Sequence, residues 1–370
     1  MLNKIKTAGL FLVFLAAITA SLYMSGYAAA RITIFVSILF FFTLGLSREA
    51  FGAEGEEEKK NDGLFPVVRG GKWGFINRSG EVVINPRFEY VSKYSEGLCA
   101  VKVGHKYGYI SCKGDIAIEA QFDYAYDFSD GLAMVKVGFG GMVDEGKLGY
   151  IDKTGSLVID PQFDFGCAWN FSEGIAAVKI NDKYGFIDKN GVIVVAPIFD
   201  DAWAFAEGCA RVLQEGKLGY VDRSGKIIIK PQFDGGLFFA GGIAPVVINK
   251  KYGFIDKSGA FVIMPQFDDA CGFREGLAVV KIENKYGYIN TEGKFAIPLH
   301  FDGASDFSEG IGRVNIDSKY GYLDLSGRII IPPQYSHYAS DFYNGLACVY
   351  VDDEKEYYYV DRQGKKVCKR

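Results

Sequence analysis

From residue 63 onward, short apolar runs alternate with polar turns. The stretch from Glu275 to Phe307 shows one period. Gly276-Leu-Ala-Val-Val-Lys-Ile282 is rich in β-forming residues and predicts a first strand. Glu283-Asn284-Lys285 is its turn, and Tyr286-Gly-Tyr-Ile-Asn290 predicts a second strand. Asn290-Thr-Glu-Gly293 predicts another turn. Lys294-Phe-Ala-Ile297 predicts a third strand, which Pro298 is expected to end. The period recurs nine times, anchored at Trp73, Tyr107, Leu148, Tyr184, Leu218, Tyr252, Tyr286, Tyr320 and Tyr357. From Tyr184 to Tyr320 each step is 34 residues, a fixed self-similarity that marks a repeat architecture.

The second turn is the most fully specified piece. Asp or Asn stands first and Gly fourth, as in Asp188-Lys-Asn-Gly191 and Asp256-Lys-Ser-Gly259. An Asx side chain bonds backbone two residues on, and Gly supplies a positive φ. A Gly recurs inside the second strand (Gly74, Gly108, Gly149, Gly185, Gly219, Gly253, Gly287, Gly321) and predicts a close backbone approach, expected from the neighbouring unit. Two Phe columns, Phe88 to Phe301 and Phe128 to Phe307, read as core. One unit carries extra residues at Gly138–Asp144 between its first two strands and the last unit near Asp352-Asp-Glu354, so this hairpin end is expected at the surface.

These signals predict an all-β chain of nine tandem three-stranded repeats. The array opens on Asp62-Gly-Leu-Phe-Pro-Val-Val68 and closes on Gly364-Lys-Lys-Val-Cys368, so no unit is split between the ends. An open β-solenoid, a superhelical array, is the expected architecture, with a β-propeller as the alternative. A 34-residue unit is short for a four-stranded blade of about 40–45 residues. Intact end units also lack a closing strand exchange.

Ahead of the array lie two apolar runs, Ala8–Met24 and Ile32–Leu46, with Lys4, Lys6, Arg31 and Arg48 at their flanks. Residues 1–52 are expected to be a hydrophobic helical segment, either a signal peptide or a membrane anchor. The second run makes a helix of about 22 Å, short for a bilayer core of about 30 Å. A signal peptide, a two-helix hairpin and a start at Met24 all remain open, and two of these three export the array. Residues 53–61, which take in most of the polar run Glu54–Asp62, read as a charged linker, and residues 62–370 as the array.

A net charge of −4 with interspersed signs gives no basic footprint for nucleic acid. The seven Cys fall in different columns without a Cys-x-x-Cys pair, which speaks against a metal site or disulfide framework. Cys99, Cys209 and Cys348 occupy apolar first-strand places and read as buried thiols. His105, His300 and His337 sit in separate columns, so no catalytic residues, cofactor or metal ligands are assigned. Lys recurs before the Tyr-Gly (Lys72 to Lys319) and an acid before the first-strand Gly (Glu96, Asp130, Glu173, Glu207, Glu275, Glu309). The two columns are expected to form a solvated ladder of ion pairs. A variable column carries Ser92, Tyr126, Trp169, Trp203, Leu237, Cys271 and Ser305. Tyr126, Trp169 and Trp203 fall in consecutive units and are the candidate binding residues, since rigid amphipathic rings make good anchors.

Lys72-Trp-Gly-Phe-Ile-Asn, followed by Gly, Pro-x-Phe and Glu-Gly-Leu-Ala-x-Val elements, resembles the bacterial WG repeat, also called the KWG repeat. The resemblance covers about Asp62 to Arg370. The ninth copy departs from it, with Glu356-Tyr-Tyr358 in place of Lys-Tyr-Gly. The resemblance implies β-rich arrays in exported or membrane-attached proteins without a common reaction. The expected function is a non-catalytic scaffold for a protein or polysaccharide ligand at the cell envelope, held to the membrane by the N-terminal segment. The alternatives are a carbohydrate-active enzyme and a cytoplasmic regulatory array under a membrane hairpin.

Overall fold

The computed structural model describes residues 63–138 and 146–370. The N-terminal segment, the linker and most of the Gly138–Asp144 loop lie outside the described residues. Among the described residues the strands form nine separate antiparallel sheets, one per unit. Unit seven is representative, with strands Asp269–Ala270, Leu277–Ile282, Lys285–Asn290 and Phe295–Phe301 side by side in chain order. Leu277–Ile282 pairs with Lys285–Asn290 in unbroken register from Leu277↔Asn290 to Ile282↔Lys285. Glu283 and Asn284 both have positive φ (47° and 68°), the conformation of the two-residue turn that suits strand twist. At the next turn Asn290 Oδ1 accepts from Glu292 N (3.1 Å) and Lys294 N (3.0 Å), and Gly293 has φ +79°. The Asx–Gly turn forms as its residues imply.

Three details differ from the sequence reading. First, Pro298 does not end the third strand, which runs on to Phe301. Register jumps from Tyr288↔Ile297 to Tyr286↔Phe301, so a bulge accommodates the proline on an edge strand, where one ladder donor can be spared. Second, the in-strand glycine is required by that bulge and not by the neighbouring unit. A Cβ on Gly287 would lie 2.7 Å from Ile297 O and 2.9 Å from Leu299 N, both in the same sheet. Third, most units have a fourth strand. Six sheets contain four strands, the extra one pairing as in Asp269↔Lys281 and Ala270↔Val280. Because this strand is mostly two residues long, it fits a 34-residue unit and leaves no alternating pattern to read.

Each sheet is buried on both faces. Within one strand Tyr288 packs forward with Phe307 and Val314 of unit eight, while Ile289 packs back on Phe254 and Phe267 of unit six. The described residues form nine such cores. Nine units in an open row would share eight interfaces. The ninth core joins Phe65, Val67 and Ile76 of unit one to Leu346, Cys348 and Tyr359 of unit nine. The array is therefore a closed ring of nine sheets stacked face to face, a nine-bladed β-propeller, and the open solenoid is overturned.

No strand is exchanged at the closure, because the seam reuses the contacts of the other interfaces. A buried second-strand tyrosine donates to a backbone carbonyl of the following unit: Tyr109 to Tyr126 (2.8 Å), Tyr220 to Leu237 (2.8 Å), Tyr288 to Ser305 (2.9 Å). Tyr359, in the same column, donates to Pro66 O of unit one (2.9 Å), and its ring lies 5.3 Å from that of Phe65. Arg69 also reaches Lys369 O (3.1 Å).

The charged columns form two ladders. Each lysine before the Tyr-Gly up to Lys285 pairs with an acid seventeen residues on, as in Lys251–Asp268 and Lys285–Asp302 (2.6 Å each). The acids before the first-strand Gly pair instead with the next unit, as described below. These pairs are exposed and individually weak, but they recur around the ring. Lysine bonding holds the carboxyls of Asp200, Asp234, Asp268 and Asp302 below their ordinary value near 3.8. A Ser or Thr hydroxyl does the same for the turn residues Asp152, Asp222, Asp256 and Asp324. A carboxyl depressed on folding adds stability that is complete above its unfolded value and is lost as pH falls through its folded value. The thermal midpoint is thus expected to stay level from neutral pH down to about 5 and to drop progressively below about 4. A midpoint unchanged at about pH 3 would show that these carboxyls do not stabilise the ring.

Candidate functional site

The sheets leave one recurrent surface where aromatic rings are only partly covered. It is built from the residue just after the Phe-Asp step, the fifth residue of the first strand, and the ring that opens the second strand. In units two and three these places hold Tyr90, Lys102, Tyr107, Tyr124 and Lys136. Strand pairing sets Tyr90 opposite Lys102 and Tyr124 opposite Lys136. The rings touch in a run, Tyr90–Tyr107 at 6.0 Å, Tyr107–Tyr124 at 5.0 Å and Tyr124–Tyr126 at 4.9 Å between centroids. Lys102 lies over the Tyr107 ring (5.5 Å), and Lys136 over the half-exposed Phe165 (5.4 Å). Burial pushes the Tyr90 hydroxyl up to about 12 and raises Tyr107 and Tyr124 as well. All three remain neutral hydrogen-bonding groups at physiological pH.

Tyr126, Trp169 and Trp203 each sit half-buried in a different, successive interface. Tyr126 packs between units three and four, Trp169 between four and five, and Trp203 between five and six. Tyr126 joins the tyrosine run directly. Trp169 Nε1 is buried without a hydrogen-bond partner. The Arg211 guanidinium lies over Trp203 at 4.7 Å and donates to Gly236 O (2.6 Å). Among the described residues no ring–ring contact joins the three to one another. The structure adds Tyr90, Tyr124 and Phe165 to the candidate surface, with the buried Tyr107 supporting them from beneath. The column after the Phe-Asp step varies between units (Tyr90, Tyr124, Phe165, Asp201, Gly235, Asp269, Gly303, His337), and this signal was available in the sequence.

Unit nine repeats the arrangement at the corresponding positions. His337–Tyr350, Tyr350–Tyr357 and Tyr338–Tyr357 lie at 5.0, 5.1 and 5.7 Å. Across the seam Arg370 covers Trp73 of unit one (5.3 Å). Ser336, His337 and Asp352 meet here: Ser336 Oγ lies 2.6 Å from both His337 Nδ1 and Asp352, and Nδ1 lies 2.8 Å from Asp352. One ring nitrogen faces both partners, whereas a nucleophile relay needs the base to use its two nitrogens separately. The triangle instead ties down the enlarged loop at Asp352. All seven thiols are free, with Cys99, Cys209, Cys271 and Cys348 buried. Among the described residues no cluster of His, Cys, Asp or Glu is placed to hold a metal ion.

The profile of the family described as WG containing repeat matches residues 73–107, 107–138, 149–184, 184–217, 219–252, 252–286, 286–320 and 320–354. The chain belongs to this family of repeat proteins. Each match runs from one second strand into the next unit, so nine units yield eight matches. No curated protein matches the chain. Among solved structures it is similar to Kluyveromyces lactis Hsv2, at 10% identity over 74% of this chain and 96% of that one (TM-score 0.39). It is also similar to apo AztD from Citrobacter koseri, at 13% identity over 76% and 92% (TM-score 0.39). A puromycin hydrolase matches at 11% identity over 64% of this chain and 52% of its own (TM-score 0.35). These likenesses are too loose to transfer a function.

Proposed function

We propose that this ring is a non-catalytic scaffold that binds an extended glycan chain at the bacterial cell envelope, held to the membrane by its N-terminal segment. The observation that carries the reading is the run of touching rings in which Tyr90, Tyr124 and Tyr126 are partly exposed over the buried Tyr107, with Phe165, Trp169 and Trp203 partly exposed in the units that follow. Flat rings with neutral hydroxyls offer stacking surface and hydrogen bonds together, the combination a sugar chain requires. Stacked lysines keep the rings in place without steering toward a strongly charged ligand.

The test is binding of the purified full-length protein to envelope polysaccharides. The exposed Tyr90→Ala is expected to weaken binding about threefold to tenfold while the unfolding midpoint changes little, and Tyr124→Ala, whose ring also packs on the core, to lower both. Trp169→Ala and Trp203→Ala are expected to lower both binding and the midpoint. If the tryptophan variants lose stability but bind unchanged, these rings serve only the core. If a protein is captured and no polysaccharide is, the glycan reading fails.

A further inference from the structure

The acids before the first-strand Gly build a latch at most of the described seams. Each takes a positive φ (Glu96 50°, Glu173 55°, Glu309 54°) that turns its side chain toward the next unit. There it accepts from the backbone N–H of the equivalent turn: Gly131 to Glu96 (3.1 Å), Gly208 to Glu173 (3.0 Å), Gly345 to Glu309 (2.9 Å). A base from the second position of the same unit's Asx turn completes it. Lys153–Glu96 (2.9 Å), Lys189–Asp130 (2.7 Å), Arg223–Glu173 (3.0 Å), Lys257–Glu207 (3.4 Å) and Arg362–Glu309 (2.9 Å) are the five complete latches.

Incomplete latches follow a charge logic. Between units six and seven the acid place is Gly241 and the base place is Thr291, so both charges are gone. Between seven and eight Glu275 bonds Gly310 N (2.9 Å) while Leu325 holds the base place. At the closing seam alone among those described, the base is present and the acid is missing. Arg78 holds the base place, and Asn344 holds the acid place with the same backbone turn (φ 49°). Asn344 Nδ2 is buried with no hydrogen-bond partner. Arg78 lies over Gly345, where a Cβ would collide with its guanidinium. Gly63, Arg78, Glu309, Asn344, Gly345 and Arg362 line a cavity of about 330 Å³. Arg362 is already neutralised by Glu309, which leaves, among the described residues that line the cavity, one net positive charge and the unpartnered Asn344 amide in its wall.

We propose that this seam binds a small oxyanion, a carboxylate or a phosphate, between the Arg78 guanidinium and the Asn344 side-chain amide. The anion supplies in trans the charge that Glu or Asp supplies at the other latches. It accepts from the orphaned Nδ2 and pairs with a guanidinium shaped for a planar or tetrahedral oxyanion. The site spans units one and nine, so binding couples to ring closure and raises stability by mass action.

The test is calorimetric titration of the full-length protein with inorganic phosphate or acetate in chloride buffer of fixed ionic strength, alongside the unfolding midpoint. Saturable binding with a rising midpoint is expected. The exposed Arg78→Met should fold and bind at least about tenfold more weakly, the loss of one charge-assisted pair. Asn344→Asp should raise the midpoint in chloride and abolish the response to either anion, because its own carboxylate fills the latch. Response to phosphate alone assigns a phosphoryl ligand, and equal response to acetate assigns a carboxylate ligand. Absence of saturable binding by both anions, or unchanged binding by Arg78→Met, overturns the proposal.

Discussion

Tyr359→Ala is expected to destabilise the protein by about 3–5 kcal/mol, as much as Tyr220→Ala inside the array. Tyr359 is 5% exposed although it lies eleven residues from the C-terminus. Its ring fills the core shared with Phe65, Val67 and Ile76, and its hydroxyl bonds Pro66 O across the seam. Truncation removes that packing, strands a carbonyl and opens the interface that holds the ring closed. Tyr359→Phe keeps the packing and should cost about 1 kcal/mol, the share of a single hydrogen bond. Denaturant unfolding monitored by circular dichroism reads all three. In an open row Tyr359 would sit on a frayed end face, and Tyr359→Ala would then be nearly neutral.

Gly253→Ala is the second substitution expected to have a large effect, about 3 kcal/mol, because the added methyl meets backbone that cannot move aside. Its Cβ would lie 2.6 Å from Pro265 N and 2.7 Å from Ile263 O, inside the bulge that turns the third strand toward the next unit. Gly272→Ala is the matched control: its nearest neighbour would be Ala240 Cβ at 4.0 Å, so this change should be close to neutral. A comparable loss at both positions would assign the effect to chain flexibility and not to the close approach.

The local architecture was legible in the sequence because it repeats. Strand pairs, the two-residue hairpin turns and the Asx–Gly turns depend on residues within one unit, and nine copies average out individual exceptions. Pro298 was read as a strand end because the proline alone cannot say whether its strand lies at an edge, where a bulge can absorb it. Closure was read only as the alternative to an open array, since the period gives the length of a unit and not the rotation between units. A signal existed nonetheless. An open array presents polar outer faces at its caps, and Phe65, Val67 and Ile76 keep the apolar alternation of an internal unit. At the candidate site, the varying column that holds Tyr126, Trp169 and Trp203 was visible by alignment alone. The contacts of Tyr90, Tyr107 and Tyr124 were not, because Tyr90 and Tyr107 come from different strands of one sheet and Tyr124 from the next, so the run forms only when the sheets stack.

Ring closure is tested most directly by a covalent bridge across the seam. Gly80 has φ +88°, and a Cβ there would lie 3.1 Å from Cys368 Cβ, just inside the roughly 3.5–4.5 Å a disulfide spans, so the turn needs to shift by only a few tenths of an ångström to form the bridge. In the folded Gly80→Cys protein, oxidation is expected to link residues 80 and 368, detected by peptide mapping, with a faster-migrating monomer on a non-reducing gel. A folded Gly80→Cys protein that forms no 80–368 linkage would contradict the closed ring.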